Sequence, residues 1–475
     1  MQMPRDIGPF HIIGIGGIGM SAIAEILVAK GYSVQGSDQK ESANVRRLRA
    51  KGIRVFAGHD AVNLIGARYV VISTAVKASN PELAAARAKN LPIIRRAEML
   101  AELMRLYSTV SVTGTHGKTT TTSLLSHIFA EAGLEPTVIT GGIINSWGSN
   151  ARLGSGNWMI VEADESDGTF TRLPTQIGVV TNIDPEHLDY FGSVQVMHRE
   201  YEMFMKNIPF FGLAVVCIDH PVVRDMVMRL GLRADGRRLL TYGVSRDADL
   251  VLENVRIDGT LTRFDAELAA SVKGGSRRLE GWTVPIPGTH NALNALAAIA
   301  VATEAGIEDS KIKAAMATFS GVKRRFQFTG EWNGVAIYDD YGHHPAEISA
   351  VLSAARRGAK GRVLAVVEPH RYTRVRDLFA DFSSCFADAD SVVVAPLYTA
   401  GESPIDGIDN HSLAAGIRKA GHPSVRSLDK VADLVPAIKE LCRPGDTVVC
   451  LGAGNSTEWA HSLPQWLSEQ AGSAA

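Results

Sequence analysis

The chain lacks several features that would narrow its class at once. It has four cysteines in 475 residues, Cys217, Cys385, Cys442 and Cys450, and no two of them form a CxxC pair. Scattered in this way they indicate neither a disulfide framework nor a zinc site. It also lacks an excess of either charge, since 49 basic and 50 acidic side chains leave a formal net charge of −1. A nucleic-acid partner or an anionic membrane surface would call for a one-sided balance, so neither is expected, and any phosphate must be held by local sites. No run of about 18 apolar residues is present to span a bilayer. The apolar stretch at residues 12–18 is short and broken by glycines, unlike the core of a signal peptide. A cytoplasmic location is therefore expected. Low-complexity tracts are missing as well, and only the tail, residues 472–475, reads as frayed.

What the sequence does contain is a repeated order of strand, glycine-rich turn and helix. That order predicts α/β architecture with parallel sheets, and the length predicts two or three domains. The order starts afresh at residues 10–19, at 109–122 and near 334–340. Junctions are accordingly expected near residues 107 and 322, dividing the chain into 1–107, 108–322 and 323–475. Strands are expected at 32–38, 69–73, 158–161, 177–180, 363–367, 391–395 and 447–451, and helices at 97–107, 123–130 and 291–306. Between residues 250 and 283 polar and apolar residues alternate, which predicts an antiparallel insertion.

The first glycine loop, Gly14-Ile15-Gly16-Gly17-Ile18-Gly19, follows an apolar strand and opens a helix, and Asp38 stands about 20 residues on. In such a loop the glycines admit a diphosphate to a helix N-terminus and the acid meets a ribose hydroxyl. NAD is one candidate ligand, any diphosphate-linked nucleoside is another, and a tight turn without ligand is a third reading.

The second loop, Gly114-Thr115-His116-Gly117-Lys118-Thr119-Thr120, resembles a phosphate-binding loop, although Val112 stands where the strict pattern has its first glycine. Its glycine spacing still offers backbone N–H groups, a lysine for the β- and γ-phosphates and a hydroxyl for Mg²⁺. Two strand ends follow that could hold the ion. One carries Glu162, Asp164 and Glu165, with Glu162 the expected ligand and loop capping the alternative; the other leads to His187. Further on, His290, Asn291 and Asn294 open an alanine-rich helix. The two asparagines share a face on which amides could read an adenine edge, unless Asn291 only caps the helix.

Taken together, the GTHGKTTTT segment at 114–122, EADESD at 162–167, NIDPEHLDYFG at 182–192, GTHNALNALAA and GVKRRFQ at 321–327 resemble the Mur ligase family, in that family's order and over essentially the whole chain. The resemblance implies three α/β domains: an N-terminal Rossmann-like domain for a UDP-linked substrate, a central P-loop-type domain for ATP, and a C-terminal Rossmann-like domain for an amino acid. The segment from Asp339 to Pro345 and the run His370-Arg371-Tyr372-Thr373-Arg374 are similar to the branch that adds L-alanine to UDP-N-acetylmuramic acid. A branch that recycles a murein tripeptide is the alternative. An NAD-dependent oxidoreductase and an ATPase module are rivals from other classes, and neither explains the C-terminal motifs.

The implied chemistry is ATP-dependent. Lys118 and Thr119 meet the phosphates and Mg²⁺ (or Mn²⁺), and Glu162 and His187 hold a divalent ion. A carboxylate attacks the γ-phosphate, and the amine of alanine then attacks the acyl phosphate. Gly16, Gly17, Ile18 and Gly19, with Asp38, His59 and Ser73, are expected to hold UDP. Arg325 and Asp340 are expected to complete the nucleotide site, with His343 a candidate base for the amine. His370, Arg371 and Arg374 are expected at the alanine carboxylate, although an arginine-rich loop can also be a solvated face. Residues spread from 118 to 374 imply closure around the substrates. A homodimer is compatible with the sequence. One departure from the family stands out. Its later-acting members resemble one another in a carbamylated lysine about a dozen residues past the match to His187, whereas residues 196–205 here contain no lysine, only His198, Arg199, Glu200 and Glu202 as polar candidates, with Lys206 just beyond.

Overall fold

The computed structural model describes residues 7–469 apart from Thr74 and Asp167, and not the side chains of Ile18 and Asp189. The expected frayed tail lies outside the described residues.

Three sheets organise the chain. The first contains β1 (Phe10–Ile13), β2 (Val34–Asp38), β3 (Arg54–Ala57), β4 (Tyr69–Ile72) and β5 (Ile93–Arg95). Its order is β3-β2-β1-β4-β5 and every pairing is parallel. The order reverses between β1 and β4, which is the point where doubly wound sheets hold ligands. β1, FHII, is buried at every position. β3 and β5 were not expected, because three or four residues carrying arginines give too little periodicity to read.

The second sheet contains β6 (Ser108–Thr113), β7 (Thr137–Ile144), β8 (Ser149–Arg152), β9 (Trp158–Glu162), β10 (Ile177–Val180), β11 (Leu213–Cys217), β12 (Leu239–Gly243), β13 (Leu250–Asp258), β14 (Leu261–Leu268) and β15 (Arg277–Val284). The order is β15-β14-β13-β12-β11-β10-β6-β9-β7-β8. β6 lies between β10 and β9 and pairs in parallel with both. The alternating stretch at 250–283 forms the three consecutive strands β13 to β15. The helix after β6 spans Lys118–Glu131 and begins directly at the lysine, five residues before its expected start. Its threonines are poor helix formers in isolation, but Thr119, Thr120, Thr121 and Thr122 are all buried, and packing overrides propensity. The helix expected at 97–107 spans Arg96–Met104 and the one at 291–306 spans Thr289–Glu304.

The third sheet contains β16 (Gln327–Trp332), β17 (Val335–Asp340), β18 (Val363–Val367), β19 (Ser391–Val394), β20 (Val425–Ser427) and β21 (Thr447–Leu451), in the order β16-β17-β21-β18-β19-β20. Only β16 runs antiparallel to its neighbour. Alternate residues of β18 face opposite ways: Val363, Ala365 and Val367 pack with Ile348, Leu352 and Phe382, while Leu364 and Val366 pack with Leu434, Ile438 and Leu463. Helices thus cover both faces, as a parallel sheet requires.

By its contacts the chain forms two compact units. One runs to Leu252 and includes Ala266–Arg278 and Asn294–Ala315; the other contains Glu253–Asp265, Leu279–Leu293 and everything from Met316 onward. Both glycine loops belong to the first unit and the third sheet to the second. Among the described residues no helix is long and apolar enough to cross a membrane.

Candidate active site

The first glycine loop leaves β1 at the switch point and enters the helix Ile18–Ala29. Gly17 is its N-cap, and Gly17 N–H donates to Gly14 O at 3.0 Å. Gly16 is tightly enclosed. A Cβ there would stand 2.8 Å from Val45 Cγ2 and 2.9 Å from Asp38 Oδ2, so only glycine leaves the loop where it is. Asp38 Oδ2 accepts the Gly16 N–H at 2.9 Å and Asn44 donates to Gly16 O at 2.9 Å. The acid expected on a ribose therefore also fixes the loop. Gly19 lies near Arg96, and the Ile18 side chain lies outside the described set. Ser73 is half-buried just past β4 and accepts the Val76 N–H at 3.2 Å. His59 joins a buried polar group: its Nδ1 lies 3.0 Å from Ser37 Oγ and 3.2 Å from Glu82 Oε2, and Glu82 also takes Asn63 at 2.6 Å.

The second loop follows β6. Gly117, at φ 83, turns the chain so that Lys118 is the first helical residue, which aims backbone N–H groups of the helix start at the loop's mouth. A Cβ on Gly117 would come within 2.6 Å of Asn294 Oδ1, so that asparagine sits against the loop. His116 is clamped through its backbone: its N–H donates to Asn182 Oδ1 at 2.7 Å, and its carbonyl accepts Asn182 Nδ2 at 3.0 Å and Thr181 Oγ1 at 2.6 Å. Its ring faces Asp184, which lies 3.1 Å from His116 Nε2 and 3.2 Å from His220 Nε2. Burial works against the Asp184 charge, but hydrogen bonds from the two histidines hold its carboxyl far below the ordinary range. Thr115 exchanges hydrogen bonds with the Asp184 backbone at 3.1 and 2.8 Å. Gly114 and Thr115 accept Lys118 Nζ through their carbonyls at 2.6 and 3.1 Å.

The acidic residues divide into two sets. Glu162, at the end of β9, accepts Thr119 Oγ1 at 2.9 Å, Thr140 Oγ1 at 2.8 Å and the Gly141 N–H at 2.6 Å. Thr119 and Glu162, expected together at a metal, are thus in contact. His187 stands in a group with Asp164 and Glu165 whose candidate ligand atoms are all within 4.8 Å of one another. It takes φ 54, a costly backbone state that clusters at functional positions. Burial and the neighbouring Asp164 push the Glu165 carboxyl up to about 7 against the pull of Lys118. Burial would discharge Lys118, but Glu165 and Asp164 outweigh it and raise its pKa.

In the second unit, Asp340 ends β17 fully enclosed. Its carboxylate accepts the Phe326 N–H at 2.8 Å and the Gly342 N–H at 2.7 Å. Burial pushes it up to about 6 despite Arg325. Arg325 lies 5.4 Å from the Tyr341 ring and 3.8 Å from Glu347, and its neighbours Arg324 and Phe326 both have positive φ. His343 Nδ1 is 3.0 Å from Tyr341 O, and its ring meets that of His370 at 5.9 Å. His370 stacks on Tyr398 at 5.3 Å, and its Nδ1 lies 3.1 Å from Arg374. Burial and the neighbouring His343 lower His370 to about 4, so it is a neutral acceptor. His290 folds back over Gly288, and Asn291 donates to Pro287 O at 2.7 Å from inside the helix, past the N-cap position.

Sequence reasoning passed over Glu82, Asn182, His220 and Glu402 as site residues. Asn182 lay in a quoted motif, but the other three carry no spacing signal, because each meets its partner across the fold.

Three family descriptions cover the chain: "Mur ligase family, catalytic domain" over residues 9–108, "Mur ligase middle domain" over 112–302, and "Mur ligase, glutamate ligase domain" over 324–454. The UDP-N-acetylmuramate–L-alanine ligase of a Bradyrhizobium species is 56% identical over 467 residues, covering 98% of this chain and 99% of that one. The Rhizobium etli enzyme of the same name is 54% identical over 475 residues and all of both chains. Among solved structures, the UDP-N-acetylmuramate-alanine ligase of Thermotoga maritima matches with a TM-score of 0.77 at 27% identity, over 98% of this chain and 100% of that one. It has the same three-domain α/β arrangement. With all three domain descriptions matched in order and relatives identical at more than half of all positions, the chain belongs to the Mur ligase family.

Proposed function

We propose that this chain joins L-alanine to the lactyl carboxylate of UDP-N-acetylmuramic acid, with ATP as co-substrate, in peptidoglycan synthesis in the cytoplasm. The observation that carries this reading is identity of 54–56% along the whole chain to relatives bearing that name. The tripeptide-recycling alternative is not favoured. The domains are taken as residues 1–107 for the UDP-linked substrate, 108–322 for ATP and 323–475 for the amino acid.

The enclosed Gly16 and the loop-fixing Asp38 suit a diphosphate at the start of the helix Ile18–Ala29, where N–H groups favour anions. Lys118, kept protonated, supplies a positive charge at the second loop for the β- and γ-phosphates, and Asn294 beside Gly117 suits a nucleotide edge. A carboxylate is a poor acyl donor, which is the reason ATP is spent: attack on the γ-phosphate releases ADP and gives an acyl phosphate, and the amine then displaces phosphate. His370, neutral and bonded to Arg374, accepts from the guanidinium without adding charge of its own, and Arg374 suits a substrate carboxylate.

The donor sets also fit Mg²⁺. Glu162 with Thr119, and Asp164 and Glu165 with His187, are mostly hard oxygen donors, and the histidine admits Mn²⁺ as well. A divalent ion held there supplies charge neutralisation for the transferring phosphoryl group.

The test is phosphate release across a matrix of UDP-sugars and amino acids. Release that needs ATP, UDP-N-acetylmuramic acid and L-alanine together is expected. A tripeptide replacing alanine with equal efficiency would overturn the reading.

A further inference from the structure

Arg371 has φ 70, a left-handed backbone that side chains adopt at a cost. It stands as N-cap of the short helix Tyr372–Asp377 without a side-chain cap of its own. One carboxylate gathers this segment. Glu402 Oε1 accepts Arg371 Nε at 2.6 Å and Thr373 Oγ1 at 2.7 Å, and Oε2 accepts the Thr373 N–H at 3.1 Å. The Arg371 N–H donates to Tyr398 O at 2.8 Å, and the same Tyr398 stacks on His370.

Glu402 is itself delivered by a strained turn. Its N–H donates to Thr399 O at 2.9 Å, and the two residues between, Ala400 at φ 51 and Gly401 at φ 83, are both left-handed, the pattern of a type I′ turn. An alanine at the first of those positions is costly. Costly backbone states at Arg371 and Ala400 therefore lie on either side of one carboxylate. Such strain persists where the surroundings over-determine it, and it gathers at ligand sites. Burial opposes the Glu402 charge, but the Thr373 hydroxyl and N–H and the Arg371 guanidinium hold its carboxyl down at about 2. Glu402 is therefore anionic at any working pH.

A guanidinium gripped through Nε by a fixed carboxylate is held in one place and one plane. We propose that Glu402 is the positioning residue of the amino-acid site: it grips Arg371 by Nε and so holds the guanidinium where the carboxylate of the incoming amino acid is met. The inference rests on the reading of Arg371 as a ligand of alanine.

Steady-state kinetics on Glu402→Ala, Glu402→Gln, Arg371→Ala and the double variant Arg371→Ala/Glu402→Ala test it. Glu402→Ala is expected to raise KM for alanine about tenfold or more, with kcat and the KM for ATP changing far less. Glu402→Gln, which keeps an oxygen for Thr373 but loses the charge, should fall between, and it carries the test should the alanine variant not fold. The double variant should be no worse for alanine than Arg371→Ala alone, because the acid acts through the arginine. Two outcomes overturn the inference while leaving the reading in place: Glu402 variants with an unchanged KM for alanine beside an impaired Arg371→Ala, or a Glu402 effect that is undiminished when Arg371 is already absent. An Arg371→Ala enzyme with unaltered KM for alanine removes the reading and the inference together.

Discussion

Lys118 donates its ammonium to the Glu165 carboxylate at 2.8 Å, and the two side chains are only 13% and 2% exposed. The lysine read as the phosphate ligand is therefore the counter-charge of a buried acid. Lys118→Ala removes both services at once. Turnover should fall by about 10²–10³-fold or more, the scale of losing one charge aimed at the transition state. Stability should fall too, by about 3–5 kcal/mol, because a buried acid loses its partner. Binding of the UDP substrate should change little, since the loop at Gly16 belongs to another domain. Phosphate release, thermal unfolding and substrate calorimetry read the three effects. An enzyme retaining half of its activity would take this loop out of the mechanism.

Gly16→Ala should act on the other substrate. The added methyl meets Val45 Cγ2 and Asp38 Oδ2 at under 3 Å, and the carboxylate is the group that accepts the Gly16 N–H. Moving either disturbs the loop proposed to hold the diphosphate. KM for UDP-N-acetylmuramic acid should rise by about tenfold or more while KM for ATP stays put. Equal increases in both constants would point to general loosening of the first unit instead.

The strands that carry these loops were legible because they are apolar runs ended by glycine or threonine, as in FHII and STVSVT. Their geometry after the strand end was less so. Glu162, Asp164 and Glu165 fall within four positions of one another, yet Glu162 turns to Thr119 while Glu165 turns to Lys118. Side-chain alternation stops being a guide once the strand ends, and the loop's path decides. Glu402 shows the limit more sharply, since 31 residues separate it from Arg371 and only the fold brings them together. β16, β3 and β20 escaped for a different reason: half-exposed or three- and four-residue strands carry no pattern to read.

Two groups of the second unit should oppose each other in the pH dependence of stability. Asp340 is raised from 3.8 to about 6 by burial. The folded state holds its proton longer than the unfolded chain does, so the contribution of Asp340 to stability is full below about pH 4 and declines until about pH 6, by at most about 3 kcal/mol. His370 is lowered from 6.5 to about 4 by burial and by His343. Here the unfolded chain takes up the proton first, so stability is full above about pH 6.5 and is lost as the pH falls through 4. The windows overlap with opposite slopes. Thermal unfolding from pH 4 to 6.5 should therefore vary little in the parent from these two groups. Asp340→Asn should steepen the rise with pH, and His370→Gln should turn it towards a fall. Identical profiles in all three proteins would refute both assignments.

Activity should not depend on dissolved CO₂. The helix Val194–Asn207 follows His187 and is where a carbamylated lysine would be sought, and residues 196–205 contain none. Its inward stripe is Met197, Tyr201, Phe204 and Met205. Glu202 could have supplied the oxygen ligand that a carbamate makes, but it accepts Arg229 at 2.6 Å. Among the described residues the candidate metal group, Asp164, Glu165 and His187, takes nothing from this helix. Lys206 is exposed at the helix's last turn. Carbamylation requires an uncharged amine, which proteins obtain by burying lysine away from water, and an exposed position does not provide that. Enzyme dialysed free of bicarbonate should then turn over at the same rate before and after bicarbonate is restored. A rescue by bicarbonate that disappears in Lys206→Ala would make Lys206 the carbamate carrier and place this helix at the metal.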